Sequence, residues 1–126
     1  MNLLGIDFED WFHPELIQQH ISGLDRTPTV VKGIDKILDW LRKNETFATF
    51  FVVGELLESK PELLDKIIGN GHEIAFHTMH HSRIDSTNFK EKFTEEIKLF
   101  GKMTSKKSKG FRAPSFSLNH SSSWII

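Results

Sequence analysis

Apolar residues fall into short blocks, and their spacing alternates between two kinds. Leu3, Leu4 and Ile6 open a run that ends in Asp7, Glu9 and Asp10, which reads as a buried strand emptying into a polar loop. The stretch 13–25 has room for a short helix. After Pro28, Val31, Ile34, Leu38 and Leu41 recur at three- and four-residue spacing, which predicts a helix with one buried face. Thr46 to Val53 reads TFATFFVV and stops at Gly54. An unbroken run of this kind suits a strand buried on both faces of a parallel sheet. Ser59 and Glu62 have the spacing of a capping box for a helix carrying Leu63, Leu64, Ile67 and Ile68. Gly69 and Gly71 end that helix.

Glu73 to Phe76 predicts a third strand. Phe89, Phe93, Ile97 and Phe100 mark another amphipathic helix. Lys109 to Arg112 is a short fourth strand, broken by Pro114, and Ser121 to Ile126 begins one more helix. Strands therefore alternate with helices, which predicts an α/β fold with a parallel sheet and right-handed crossovers. Polar residues gather just after the strands, at 7–10, at 77–81 and from Arg112 onward. In parallel α/β folds the carboxyl ends of strands are where sites form.

Composition narrows the class without naming a function. The chain has 126 residues, enough for one domain, with 38% hydrophobic and 26% charged residues. A formal net charge of −1 gives no global pull toward nucleic acid or an anionic membrane. The basic run Lys102, Lys106, Lys107 and Lys109 reads as a solvated helix end and loop, with a polyanion contact as the less favoured alternative. Cysteine is absent, which excludes disulfides and thiolate chemistry. No apolar run approaches the roughly 20 residues that span a bilayer. The N-terminus lacks the pattern of a signal peptide, so a chain starting naturally at Met1 is expected in the cytoplasm.

Three polar clusters carry candidate chemistry. His77, His80 and His81 lie within five residues, and His77 and His81 would share one face of a helical turn. Neutral imidazole is a common ligand for zinc and similar ions. The competing reading is a polar loop with surface histidines, and His80 is more readily a neighbour than a ligand. Asp7, Glu9 and Asp10 are wedged among Phe8, Trp11 and Phe12. Like charges in apolar surroundings are costly unless a cation neutralises them or one stays protonated. A metal bound by one carboxylate, with another acting as base, resolves that conflict. Arg112 can pair with a carboxylate of this cluster and hold it ionised; otherwise it is a surface arginine before a turn. Phosphate loops, nucleophile elbows and zinc-finger spacings are absent.

Taken together, these stretches resemble the polysaccharide deacetylase family, also called the NodB-homology domain or carbohydrate esterase family 4. Ile6 to Asp10 resembles the first motif, which commonly carries two adjacent acids, and Ala48 to Gly54 the second strand. His77-Thr78-Met79-His80-His81 fits H-[ST]-x-x-H, preceded by Gly71-His72-Glu73-Ile74, and Arg112-Ala113-Pro114 fits R-x-P. The resemblance runs in order to about residue 116. It implies a distorted (β/α)7 barrel, a metal held by Asp10, His77 and His81, Glu9 as catalytic base and Arg112 orienting that base. Zinc is the expected ion, with cobalt, nickel or manganese as alternatives. The departure Asp7-Phe8-Glu9-Asp10 leaves a second assignment open, with Asp7 as the base and Glu9 or Asp10 as the ligand.

The implied activity is hydrolysis of N-acetyl groups on an amino-sugar polysaccharide or oligosaccharide. Alternatives are a non-catalytic metal- or carbohydrate-binding fragment and a hydrolase of another C–N amide bond. The family's later motifs, including the histidine that serves as general acid, have no counterpart here; His120 comes too early for that role. An eight-unit barrel takes about 250 residues, so the expectation is an incomplete barrel of about four βα units. Residues 1–126 would be the N-terminal portion of one truncated domain. Open strand edges in such a body invite association, so a homo-oligomer covering the edge is expected.

Overall fold

The computed structural model describes residues 3–125. Four strands, β1 (Gly5–Phe8), β2 (Thr49–Val52), β3 (Glu73–Phe76) and β4 (Ser108–Phe111), form one sheet in sequence order. Every neighbouring pair is parallel. Between them lie helices α1 (Glu15–Gln18), α2 (Ile34–Lys43), α3 (Gly54–Ser59), α4 (Glu62–Gly69) and α5 (Phe89–Met103). Short 3-10 segments add Val30–Lys32, Pro114–Phe116 and His120–Ile125. An all-parallel sheet whose sequential strands lie side by side is an arc of a (β/α) barrel, as expected from the alternation of elements.

The pleat sorts the strand residues. Phe8, Phe50, Val52, Ile74 and Phe76 face the helices and are all buried. They pack with Ile34, Leu38 and Leu41 of α2, Leu63 and Ile67 of α4, and Phe89, Phe93 and Phe100 of α5. Aromatic rings fill the centre: Phe76 lies 4.7 Å from Phe100 between ring centroids, and Phe93 lies 4.9 Å from Phe111. The opposite face of the sheet carries Asp7, Phe51, Ala75 and, beyond the strand end, His77. Polar residues are thus placed over one face while the other face builds the core.

Several local expectations change. Leu3 is 87% exposed, and β1 is an edge strand whose only fully buried member is Phe8. In β2, Phe50 and Val52 are buried while Thr49 and Phe51 are partly covered, so one face is sealed rather than two. The capping box does not form. Ser59 ends α3 and donates from Oγ to the Leu56 carbonyl, and α4 starts after Pro61 with no side-chain cap. Proline supplies a preset φ at that start, so the cap is dispensable. In α5, Ile97 turns outward and Glu96 takes the inward position between Phe93 and Phe100. The residues after Asn119 form a 3-10 segment, and Ile126 lies outside the described residues.

Candidate metal centre

The parallel register sets the height at which each site residue leaves the sheet. Phe8 pairs with Val52, Val52 with Phe76, and Phe76 with Phe111. Glu9, His77 and Arg112 each follow directly, so they emerge in one row. His77 is buried and follows β3 without a break. His77 Nδ1 lies 2.7 Å from the Arg112 carbonyl. A carbonyl only accepts, so Nδ1 carries the proton and Nε2 keeps a free lone pair, the state a metal ligand requires. Burial holds the His77 imidazole below its ordinary pKa, which keeps it neutral.

The loop from His77 to His81 is bent through two left-handed residues, Thr78 (φ 59) and His81 (φ 56). Such backbone is uncommon for residues with a Cβ and persists only when its surroundings enforce it. Here they do. Gly54 N–H donates to the Thr78 carbonyl and Glu55 N–H to the Met79 carbonyl, both at 3.0 Å. Ser82 N–H donates to Thr78 Oγ1 at 2.9 Å, and Met79 N–H to Glu96 Oε2 at 3.2 Å. Met79 lies against Gly54, where a Cβ would sit 2.2 Å from its sulfur, so glycine is required for this approach. The bend brings the His81 ring to 5.0 Å from the His77 ring.

Glu9 completes the group. Ligating atoms of Glu9, His77 and His81 all lie within 4.8 Å of one another. Glu9 Oε2 stands 2.9 Å from His81 Nε2, close but misaligned for a hydrogen bond. Among the described residues, Glu9 Oε2 and His81 Nδ1 are the buried side-chain polar atoms left without a hydrogen-bond partner. Buried polar atoms are rarely orphaned in this way. Burial would raise the Glu9 carboxyl pKa, but the adjoining imidazoles, His81 first, outweigh it and hold it low. Two imidazole nitrogens and a carboxylate converging on one point are a donor set suited to a divalent cation.

The structure does not bring Asp10 into this group. Asp10 Oδ2 accepts from Thr29 N–H and, at 2.7 Å, from Val30 N–H; Oδ1 accepts from Thr29 Oγ1 at 2.8 Å and Trp11 N–H at 2.9 Å. With those donors its lone pairs are committed to holding the 29–30 turn. Burial opposes its ionisation, and the hydrogen bonds from Val30, Thr29 and Trp11 more than offset that. Glu9 stands beside His77 and His81. Arg112 also differs from expectation: its Nη1 meets Asp7 Oδ1 at 2.5 Å, not Glu9. Its guanidinium lies over the Phe51 ring at 3.8 Å and across Gly5, where a Cβ would sit 2.3 Å from Nη2. Asp7 is close enough for its charge to act on His77. Asp7 and Glu9 thus stand on one side of the strand, Asp7 beside Arg112 and Glu9 beside the two histidines. A period of two in β1 carries that signal, since residues two apart share a face and adjacent ones do not.

Sequence reasoning attached no role to His13 or Glu55. His13 Nε2 lies 2.6 Å from Glu55 Oε1, and His80 Nδ1 lies 3.0 Å from Glu55 Oε2. No spacing rule joins residues 42 positions apart, so this link was not legible.

Comparison with known proteins agrees with the geometry. The polysaccharide deacetylase profile matches residues 24–126. A chitooligosaccharide deacetylase of Bradyrhizobium is 44% identical over 45 residues, covering 36% of this chain and 20% of that protein. A peptidoglycan-N-acetylglucosamine deacetylase of Bacillus cereus is 33% identical over 78 residues, covering 52% of this chain and 37% of the relative. A solved peptidoglycan N-acetylglucosamine deacetylase superposes with a TM-score of 0.69 at 22% identity, over 98% of this chain and 50% of its own. The chain therefore spans about half the length of that solved relative. With the profile covering most of its length and the barrel arc shared, the chain belongs to the polysaccharide deacetylase family.

Proposed function

We propose that this chain carries the metal centre of a hydrolase that removes N-acetyl groups from amino-sugar polymers. The observation that carries the reading is the convergence of Glu9, His77 and His81, with two buried polar atoms left unsatisfied there. In this reading those three residues are the metal ligands. Asp7 is the base, oriented by Arg112. The donor set fits zinc first, and cobalt, nickel or manganese after it. Matches to deacetylases of chitooligosaccharides and of peptidoglycan N-acetylglucosamine support an N-acetylated glycan as substrate.

A divalent cation bound here would polarise the acetamide carbonyl and make a water more acidic. The protein's own residues supply the rest. The Arg112 carbonyl fixes the His77 tautomer. Asp7 takes a proton from water as the water oxygen bonds to the carbonyl carbon. The C–N bond then breaks as the nitrogen takes up the proton that Asp7 removed from water, and the free amine and acetate are released. Acetate release from a chito-oligosaccharide with added zinc or cobalt tests the reading. His77→Ala is expected to abolish metal binding and acetate release together. Unchanged metal content in that variant would show the ligand set to be wrong.

A further inference from the structure

Two loops deliver the ligands, and a third element ties them together. His13 Nδ1 accepts from Asp10 N–H at 2.7 Å, and His13 N–H donates to the Asp10 carbonyl at 3.0 Å. Nδ1 is therefore the unprotonated nitrogen, and Nε2–H donates to Glu55 Oε1 at 2.6 Å. His13 is 1% exposed while the Glu55 side chain is 35% exposed, so the contact is buried from the His13 side and directional. The other oxygen of Glu55 meets His80 Nδ1 at 3.0 Å, one residue before the ligand His81. The Glu55 backbone N–H also holds the Met79 carbonyl in the same loop. Gln18 spans the same two loops from outside, donating to the His13 carbonyl at 2.5 Å and the His80 carbonyl at 3.4 Å. One carboxylate thus closes a continuous path from Glu9 through Asp10 and His13 to His80 and His81.

We propose that Glu55 is a positioning residue for the metal centre, clamping the loop that presents Glu9 to the loop that presents His81. The proposal rests on the metal reading above. Ligand orientation by outer groups is worth roughly 10- to 100-fold in metal affinity. Glu55 acts two contacts away from the ligands, so the lower end applies. A carboxylate serves because it offers two acceptor oxygens in one plane, one for each histidine.

Cobalt titration of the chain, followed by the visible absorption of the bound ion and by competition with zinc, tests this. Glu55→Ala is expected to weaken binding about tenfold and to alter the cobalt spectrum through a changed ligand geometry. Glu55→Gln is expected to restore both, since its carbonyl still accepts from His13 and its amide N–H can donate to His80. His80→Ala breaks a half-exposed link and is expected to give a smaller shift in the same direction. Wild-type affinity and spectrum in Glu55→Ala would overturn the proposal. If Glu55→Ala does not fold, an unaltered spectrum and affinity in His80→Ala overturn it instead. Failure of the wild-type chain to bind cobalt at all would remove the metal reading, an outcome distinct from both.

Discussion

Replacing Asp10 by Ala separates the two assignments of the acidic motif. In the structure, Asp10 accepts hydrogen bonds from Thr29 N–H, Val30 N–H, Thr29 Oγ1 and Trp11 N–H. A hydrogen bond to a charged acceptor is worth about 1.5–3 kcal/mol, and the contributions of one shared carboxylate do not add. Asp10 itself is 3% exposed, but part of the surrounding turn is open to water, which resolvates some of the freed donors. The expected cost is therefore about 2–4 kcal/mol, near the cost of breaking one buried polar network. At roughly 3–5 °C per kcal/mol for a chain of this size, the melting midpoint should fall by roughly 6–20 °C. Urea denaturation in the presence of a chelator measures the loss without any metal contribution. Zinc content by elemental analysis, measured at a temperature where the variant is folded, should stay at the wild-type ratio. Glu9→Ala is expected to do the reverse, losing zinc with little loss of chelated stability. Zinc lost from folded Asp10→Ala and retained in Glu9→Ala would refute the geometric assignment.

Other consequences are as open to measurement. Asp7→Asn should keep its zinc yet release acetate at least 100-fold more slowly, the usual scale for a missing base; loss of zinc instead would make Asp7 a ligand. Gly5→Ala puts a Cβ 2.3 Å from Arg112 Nη2 and 2.9 Å from the Phe51 ring. Arg112 must then leave Asp7, and acetate release should drop while zinc stays bound; equal rates would argue against the Arg112 role. Phe100→Ala removes a fully buried ring packed on Phe76 and should cost about 3–5 kcal/mol in urea denaturation. The metal-free chain should lose stability on acidification. Burial lowers the folded pKa of His77 and His72 below the ordinary 6.5, so their contribution is full above that pH and is lost as pH falls beneath it. Constant stability from about pH 7 to about pH 5 would contradict this sign.

The elements that the sequence marks best are those whose burial has one period. Glu73 to Phe76 is read with its observed bounds, and the α2 stripe Ile34, Leu38 and Leu41 is buried as the spacing requires. Where the period is diluted, the reading slips. Leu3 and Leu4 are apolar but lie just ahead of the edge strand β1 and are exposed. The helix α3 has only six residues and hides between a strand and a predicted cap. The histidine pair is legible because its two members are local in sequence. The choice among Asp7, Glu9 and Asp10 turns on partners far along the chain. Thr29 and Val30 claim Asp10, Arg112 claims Asp7, and the histidines are left for Glu9. Adjacent acids also look interchangeable in a motif, although a strand turns neighbours to opposite faces.

The shared register of the strands reaches into what changes this fold tolerates. β2 contributes no candidate ligand, yet it is the strand on which the two neighbours leading to Glu9 and His77 are aligned, with Phe8 against Val52 and Val52 against Phe76. Inserting one residue within β2 would move one flank by about 3.3 Å and invert the facing of every side chain beyond it. Glu9 and His77 would then leave the sheet at different heights, with all of their own atoms intact. Length variation is accordingly expected in the loops at the opposite end of the sheet, such as residues 44–48 and 104–107, and not within the strand that carries no chemistry.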